Sequence, residues 1–230
     1  MRTASIIENS LKEGRGFLLE YEAEEILAEY GLDVAPALLA RNPEEAVSFA
    51  SEVGWPVVLK VMSPRIIHKT EACVVMVGIG GVEELCRAWE KLIKNAAAYD
   101  SAAEIKGVLV QKMIPGGKEV IVGASRDPQF GPLVMFGLGG IFVEVLNDVV
   151  FRAAPVSEKE AERMIGEIRF LKLLKGFRGD EPADIPALAS AVSRISKLVT
   201  DFPRISELDA NPIKADSKKA WVVDARIILS

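Results

Sequence analysis

Two small α/β lobes joined by a short hinge are what this chain predicts, and three observations predict them. Half of its 230 residues are apolar, enough to bury a core in each lobe. Amphipathic helices alternate with strand-like apolar runs through the first half. The Pro-Gly-Gly turn of "IPGGK", residues 114 to 118, then interrupts the pattern, and short strands spaced as a meander follow it.

"YEAEEILAEYGL" sets Ala23, Ile26, Leu27 and Tyr30 at helical spacing, with glutamates opposite and Gly31 as the stop. "NPEEAVSFASEVG" carries Asn42 as N-cap, Pro43 at the first helical position and Gly54 at the end. "PVVLKVM" is the unbroken apolar run of a strand covered on both faces, with Lys60 inside it. A helix with Leu85, Trp89 and Leu92 on one face and the strand "GVLVQKM" complete the first half. Beyond the hinge come the strands "EVIVGA", "PLVMFGL" and "VVFRAAPV". Ser157 and Glu160 form a capping box that opens a helix with Met164, Ile165, Ile168 and Leu171 inward, ending at Gly176. The next helix, from about Ile185 to Phe202, buries Leu188, Val192, Ile195 and Val199. "ISELDANPIKADSKKAWVVDARIIL" predicts two strands joined by a polar turn.

Composition removes some functions. A net charge of -5 with both signs interspersed argues against a nucleic-acid partner. The longest apolar stretch, "GPLVMFGLGGIFVEVL", is broken by glycines and closed by Glu144, so no membrane-spanning helix is expected. The opening "MRTASIIENSLKEG" lacks the apolar core of a secretion signal, and the two cysteines, Cys73 and Cys86, are expected as reduced thiols in a cytoplasmic protein.

The final hairpin carries acids where apolar residues would be expected. Residues two apart on a strand share a face, which groups Glu207, Asp209 and Asn211. A turn centred on residues 217 and 218 sets Asn211 opposite Asp224, and hard oxygen ligands converge there. An amide oxygen with one or two carboxylates suits Mg²⁺, which keeps waters and takes substrate phosphates. A wet strand edge acidified against aggregation is the other reading.

Lys60, inside an apolar strand, must be paired or bind an anion, because a lone buried ammonium costs several kcal/mol. Gly137, Gly139 and Gly140 either mark a turn or let backbone amides approach phosphate oxygens. Glu119 is a ribose acceptor or a surface acid. His68, the only histidine, stands in "SPRIIHKTEA" just after the Lys60 strand, as a structural loop residue or as a nucleophile toward phosphorus.

In this order, the strand lysine, the hinge, the glutamate, the glycine-rich segment and the acidic hairpin resemble the ATP-grasp fold, a two-lobed α/β architecture of antiparallel sheets with packed helices. "SPRIIHKTEA" and "SELDANPI" narrow the resemblance to beta subunits of ADP-forming acetyl-CoA synthetases, relatives of succinyl-CoA synthetase, from about Leu18 to Ile228. The resemblance implies a first lobe of residues 1–112, with a leading helix and a phosphohistidine loop, and a second of 113–230 with a Mg²⁺-binding hairpin. It implies that Lys60 contacts ATP phosphate, that Gln111, Lys112 and Met113 line the adenine pocket, and that Glu119 binds ribose. Gly139 and Gly140 join the nucleotide contacts, while Asn211 and Asp224 hold Mg²⁺. Asp209 lies close to the phosphohistidine site, and His68 passes phosphate from the partner's histidine to ADP.

The implied reaction is acyl-CoA + ADP + phosphate ⇌ acid + ATP + CoA. No CoA-binding segment, dinucleotide fingerprint or second histidine is legible here, so acyl transfer is assigned to a CoA-binding alpha subunit in a heterotetramer of two alpha and two beta chains. A carboxylate–amine ligase of the same fold, which needs no histidine carrier, and a non-catalytic nucleotide-sensing subunit remain as alternatives. One departure stands out: the resemblance implies a glycine pair shortly after the histidine, whereas this chain reads "HKTEACVV", with Cys73 and Val74 near that place, which predicts a stiffer loop or a less mobile relay.

Overall fold

The computed structural model describes residues 2–140, 148–177 and 179–230. It divides into two compact units, residues 35–114 and residues 1–34 with 115–230. The division falls between residues 114 and 115, within "IPGGK". The opening residues, expected in the first lobe, belong instead to the unit built by the C-terminal part. Pairing explains this. Strand β1 (Asp33–Val34) runs parallel to β10 (Ala220–Val222), and the Leu18 amide donates to the Ile227 carbonyl at 2.9 Å.

The smaller unit is a four-stranded antiparallel sheet in the order β2 (Ala37–Ala40), β5 (Gly107–Lys112), β3 (Val57–Met62), β4 (Val75–Ile79). Helices α3 (Pro43–Val53) and α4 (Val82–Tyr99) supply Ala46, Ala50, Leu85, Trp89 and Leu92 to the core with Val57, Leu59, Val61, Val108 and Val110. Each buried aliphatic side chain contributes about 1.5–3 kcal/mol of transfer free energy. The caps of α3 are as expected: Asn42 Oδ1 accepts from the Glu45 amide at 2.9 Å, and Gly54 takes a φ of 81°. All of β3 is buried, Lys60 included.

The larger unit is a seven-stranded sheet in the order β1, β10, β9 (Ile205–Ala215), β6 (Lys118–Asp127), β7 (Gly131–Leu138), β8 (Val149–Ala153), with β11 (Ala225–Leu229) also paired to β9. Helices α5 (Glu158–Gly166) and α7 (Ile185–Asp201) bury Met164, Ile165, Leu188, Val192, Ile195 and Val199 with Val120, Val122, Val134, Phe136 and Leu208. The other helices are α1 (Arg2–Lys12), α2 (Glu20–Glu29) and α6 (Leu171–Leu174). Helix α1 had no separate sequence signal. The Glu29 carboxylate accepts from the Thr3 amide at 2.6 Å and fastens its first turn.

The helix expected from Ser157 to Gly176 is broken between α5 and α6. Both oxygens of the buried Asp148 carboxylate accept backbone donors there, from Arg169 at 2.9 Å and Phe170 at 3.0 Å. Those amides are then taken from the helix ladder. The distal arm of the last hairpin is likewise split into β10 and β11 at Val223 and Asp224. No helix among the described residues is long and apolar enough to cross a membrane.

Candidate functional site

The hairpin register follows from the turn. Lys214 pairs with Trp221 and Asp209 with Arg226, and this one register puts Asn211 opposite Asp224, whose carbonyl accepts the Asn211 amide at 3.2 Å. Asp209 also faces Gly123 on β6. Burial first, and then the Asp224 charge, push the Asp209 carboxyl above its ordinary value, against the Arg226 guanidinium and a hydrogen bond from Asn211. Asp209 Oδ1 is buried and has no hydrogen-bond partner among the described residues. A cation between these oxygens would relieve both strains.

Among the described residues no group of three or more His, Cys, Asp or Glu side chains is arranged to hold a metal. An ion held by Asn211 and Asp224 would then need water or phosphate oxygens to complete its shell. That hard, sparse donor set fits Mg²⁺. Beside it, Glu207, Asp209, Arg226, Gly123, Met135 and Phe151 are among the residues lining a groove of about 290 Å³. Arg226 was missed from sequence; its only signal is its position opposite Asp209 once the turn is fixed.

Glu119, Gly139 and Gly140 come together in the same unit. They line a pocket of about 430 Å³ with Lys118, Leu138, Leu173 and Leu174 among its walls. The Gly139 amide donates to the Glu119 carbonyl at 2.7 Å, and Gly140 takes a φ of 62°. Glu119 lies opposite Lys214 in the sheet, with 3.7 Å between Oε1 and Nζ, and Lys118 Nζ is paired with Asp180 at 2.7 Å. Leu173 and Leu174 were not foreseen, because the Asp148-induced break that forms α6 has no local signature.

In the smaller unit, Lys60 pairs with Leu109 and Val58 with Gln111. Lys60 and Gln111 therefore share a sheet face, the one turned away from α3 and α4, and both are buried. Lys112 is bound through both its side chain and its backbone. Its ammonium donates to the Gly54 carbonyl at 2.8 Å and the Trp55 carbonyl at 3.2 Å, and its amide to Pro36 at 2.8 Å, so it braces the end of α3. The Met113 amide is likewise bound to the Pro56 carbonyl at 3.2 Å.

His68 is exposed, on a loop whose flanking Ile66 and Ala72 are buried. Its carbonyl accepts from the Ala72 amide at 3.1 Å, and Lys69 and Thr70 accept from Val74 and Cys73 at 3.0 and 3.1 Å. Closing this turn places Cys73 at a φ of 52°, a left-handed conformation that glycine adopts without cost. A glycine at this position would meet the backbone's demand without that cost.

Residues 9–229 match a family described as the ATP-grasp domain. The chain is 50% identical to the beta subunit of acetate–CoA ligase [ADP-forming] II of Pyrococcus furiosus, over 97% of this chain and 96% of that protein. A Ca. Korarchaeum cryptofilum dinucleotide-forming acetyl-coenzyme A synthetase, solved with coenzyme A, Ca-AMPCP and HgCl⁺, superposes with a TM-score of 0.95 at 46% identity, covering 99% of this chain and 100% of that one. The selenomethionine form of that enzyme, solved with coenzyme A and Mg-AMPPCP, has its phosphohistidine segment pointing towards the nucleotide binding site. It matches with a TM-score of 0.88 at 44% identity, covering 99% and 100%.

Proposed function

This chain belongs to the ATP-grasp family and, within it, to the beta subunits of ADP-forming acetate–CoA ligases, and from that premise we propose that it is the nucleotide-binding half of an ADP-forming acyl-CoA synthetase. The reaction is acyl-CoA + ADP + phosphate ⇌ acid + ATP + CoA. The observation that carries the assignment to this chain is the register that sets Asn211 against Asp224 beside the orphaned Asp209 oxygen.

Within this reading, Asn211 and Asp224 hold Mg²⁺, which neutralises charge on the nucleotide phosphates. Glu119 accepts hydrogen bonds from the ribose hydroxyls, and Gly139 and Gly140 let the nucleotide come close to the backbone. Lys60 adds a positive charge toward phosphate, and the face it shares with Gln111 contributes to nucleotide binding. His68, as a neutral imidazole, takes a phosphoryl group from a phosphohistidine on a CoA-binding alpha subunit and gives it to the terminal oxygen of ADP. Asp209, the acid before the metal asparagine, serves the phosphohistidine site. Phosphoryl transfer asks mainly for positioning and charge neutralisation, which these groups supply. The free thiols of Cys73 and Cys86 support a reducing compartment, the cytoplasm, and the assembly is a heterotetramer of two alpha and two beta chains.

Incubation with γ-labelled ATP and Mg²⁺ tests the reading. The chain should acquire an acid-labile, base-stable phosphate that His68→Ala abolishes. Labelling that survives this substitution would refute the carrier role.

A further inference from the structure

An imidazole that receives phosphorus from one protein and delivers it to a nucleotide must change neighbours between the two steps. What holds the His68 loop in the position seen here is therefore part of the chemistry. Two side-chain ties fasten it to α4 and to Asp100, the residue that caps that helix. Near one end, Arg65 Nε donates to Asp100 Oδ2 at 2.6 Å. Near the other, the Asn95 side-chain amide donates to the Cys73 carbonyl at 2.8 Å. The ion pair joins side chains that are 58% and 21% exposed, so solvent and salt weaken it. The Asn95 bond acts on the backbone itself, at the one non-glycine residue with positive φ among those described.

The closed turn is a balance. Three backbone bonds, from Ala72, Cys73 and Val74 to His68, Thr70 and Lys69, hold it together, and the left-handed Cys73 backbone opposes it. Asn95 tips the balance by gripping the Cys73 carbonyl in that conformation. Between the buried Ile66 and Ala72, the segment holds Ile67, 49% exposed, and the exposed His68, Thr70 and Glu71, so little core packing resists opening of the tip.

We infer that Asn95 is a positioning residue for His68, a latch whose hydrogen bond to the Cys73 carbonyl sets how often the histidine turn opens. The inference rests, for its consequence in phosphoryl transfer, on the carrier role proposed above for His68. Its structural half stands apart from that role. Asn95 and Cys73 act with opposite sign. Losing the Asn95 amide favours the open turn, whereas glycine at 73 removes the conformational cost and favours the closed one.

Hydrogen exchange of the Ala72, Cys73 and Val74 amides in the full chain reads the latch directly. Asn95→Ala should speed their exchange by about three- to tenfold, the weight of one ordinary hydrogen bond. Cys73→Gly should slow it by a similar factor, and combining the two should return exchange toward that of the parent chain. Single-turnover phosphorylation of His68 by Mg-ATP should rise in Asn95→Ala and fall in Cys73→Gly, with the nucleotide KM unchanged in both. Unaltered exchange in Asn95→Ala would overturn the latch. Altered exchange with an unaltered phosphorylation rate would overturn its part in transfer. No phosphate on His68 in the parent chain would remove the carrier role instead, while the exchange pattern would still decide whether Asn95 holds the turn.

Discussion

The Gly139 amide donates to the Glu119 carbonyl at 2.7 Å, and a Cβ at position 139 would fall 2.9 Å from the carbonyl carbon of Glu119. The two backbones touch because one of them has no side chain, and the neighbouring Glu119 oxygen lies 3.7 Å from where a Gly140 Cβ would stand. The glycines thus fix where the glutamate sits in the wall of the 430 Å³ pocket.

Gly139→Ala should therefore displace Glu119 and weaken nucleotide binding in the same direction as Glu119→Ala. The latter removes a charged acceptor worth about 1.5–3 kcal/mol, or roughly ten- to a hundredfold in affinity. Calorimetric titration with ADP checks both. A Gly139→Ala chain binding ADP as tightly as the parent would separate the glycine from the pocket's function.

Asp224→Asn should raise the Mg²⁺ concentration needed for half-maximal phosphorylation by roughly tenfold, the scale of one lost charge-assisted contact of about 1.5 kcal/mol. Without the Asp224 charge, which raises the Asp209 carboxyl, the latter should also move back toward its ordinary value. A metal titration superimposable on that of the parent chain would take Asp224 out of the site.

Lys112→Met distinguishes a brace from a base contact. Removing the ammonium leaves the Gly54 and Trp55 carbonyls without this donor and should destabilise the chain by about 1–3 kcal/mol in urea unfolding, with ADP affinity unchanged. Weakened ADP binding at undiminished stability would show instead that Lys112 serves the nucleotide pocket.

How far the sequence reached depended on the range of each signal. The hairpin register was legible because strand alternation has a period of two and "ADSKKA" fixes the turn, so the pairing of Asn211 with Asp224 follows from counting. The ends of α3 were legible because Asn42, Pro43 and Gly54 act on their own backbone. The break between α5 and α6 was not, since the carboxylate that causes it, Asp148, is about twenty residues away and the apolar spacing of Met164, Ile165, Ile168 and Leu171 runs straight through it. The same holds for residues 1–34, whose place beside β10 and β11 is set by backbone pairs such as Asp33 with Trp221 and Phe17 with Ile228. Among the site residues, those with matching motifs were named, whereas Leu173, Leu174 and Arg226 are brought to their pockets only by tertiary structure.

The Arg65–Asp100 tie carries a pH signature. The Arg65 hydrogen bond, helped by the Ala102 amide, holds the Asp100 carboxyl below its ordinary 3.8. A depressed folded-state value means that the tie contributes above the unfolded pKa and is lost as pH falls through the folded one, so it should open only in acid, below about pH 4. Carboxyl NMR titration should give Asp100 a value under 3.8 that climbs back in Arg65→Gln. An Asp100 titration indifferent to that substitution would show that the pair does not form.

The most direct measurement of the central claim is a chase. The chain phosphorylated on His68 by labelled ATP and Mg²⁺, freed of nucleotide and then mixed with Mg-ADP, should return its label as ATP within a turnover, and phosphorus NMR should show the phosphohistidine signal disappear as nucleotide is formed. Label that stays on the histidine, or leaves as inorganic phosphate with no ATP made, would contradict the account.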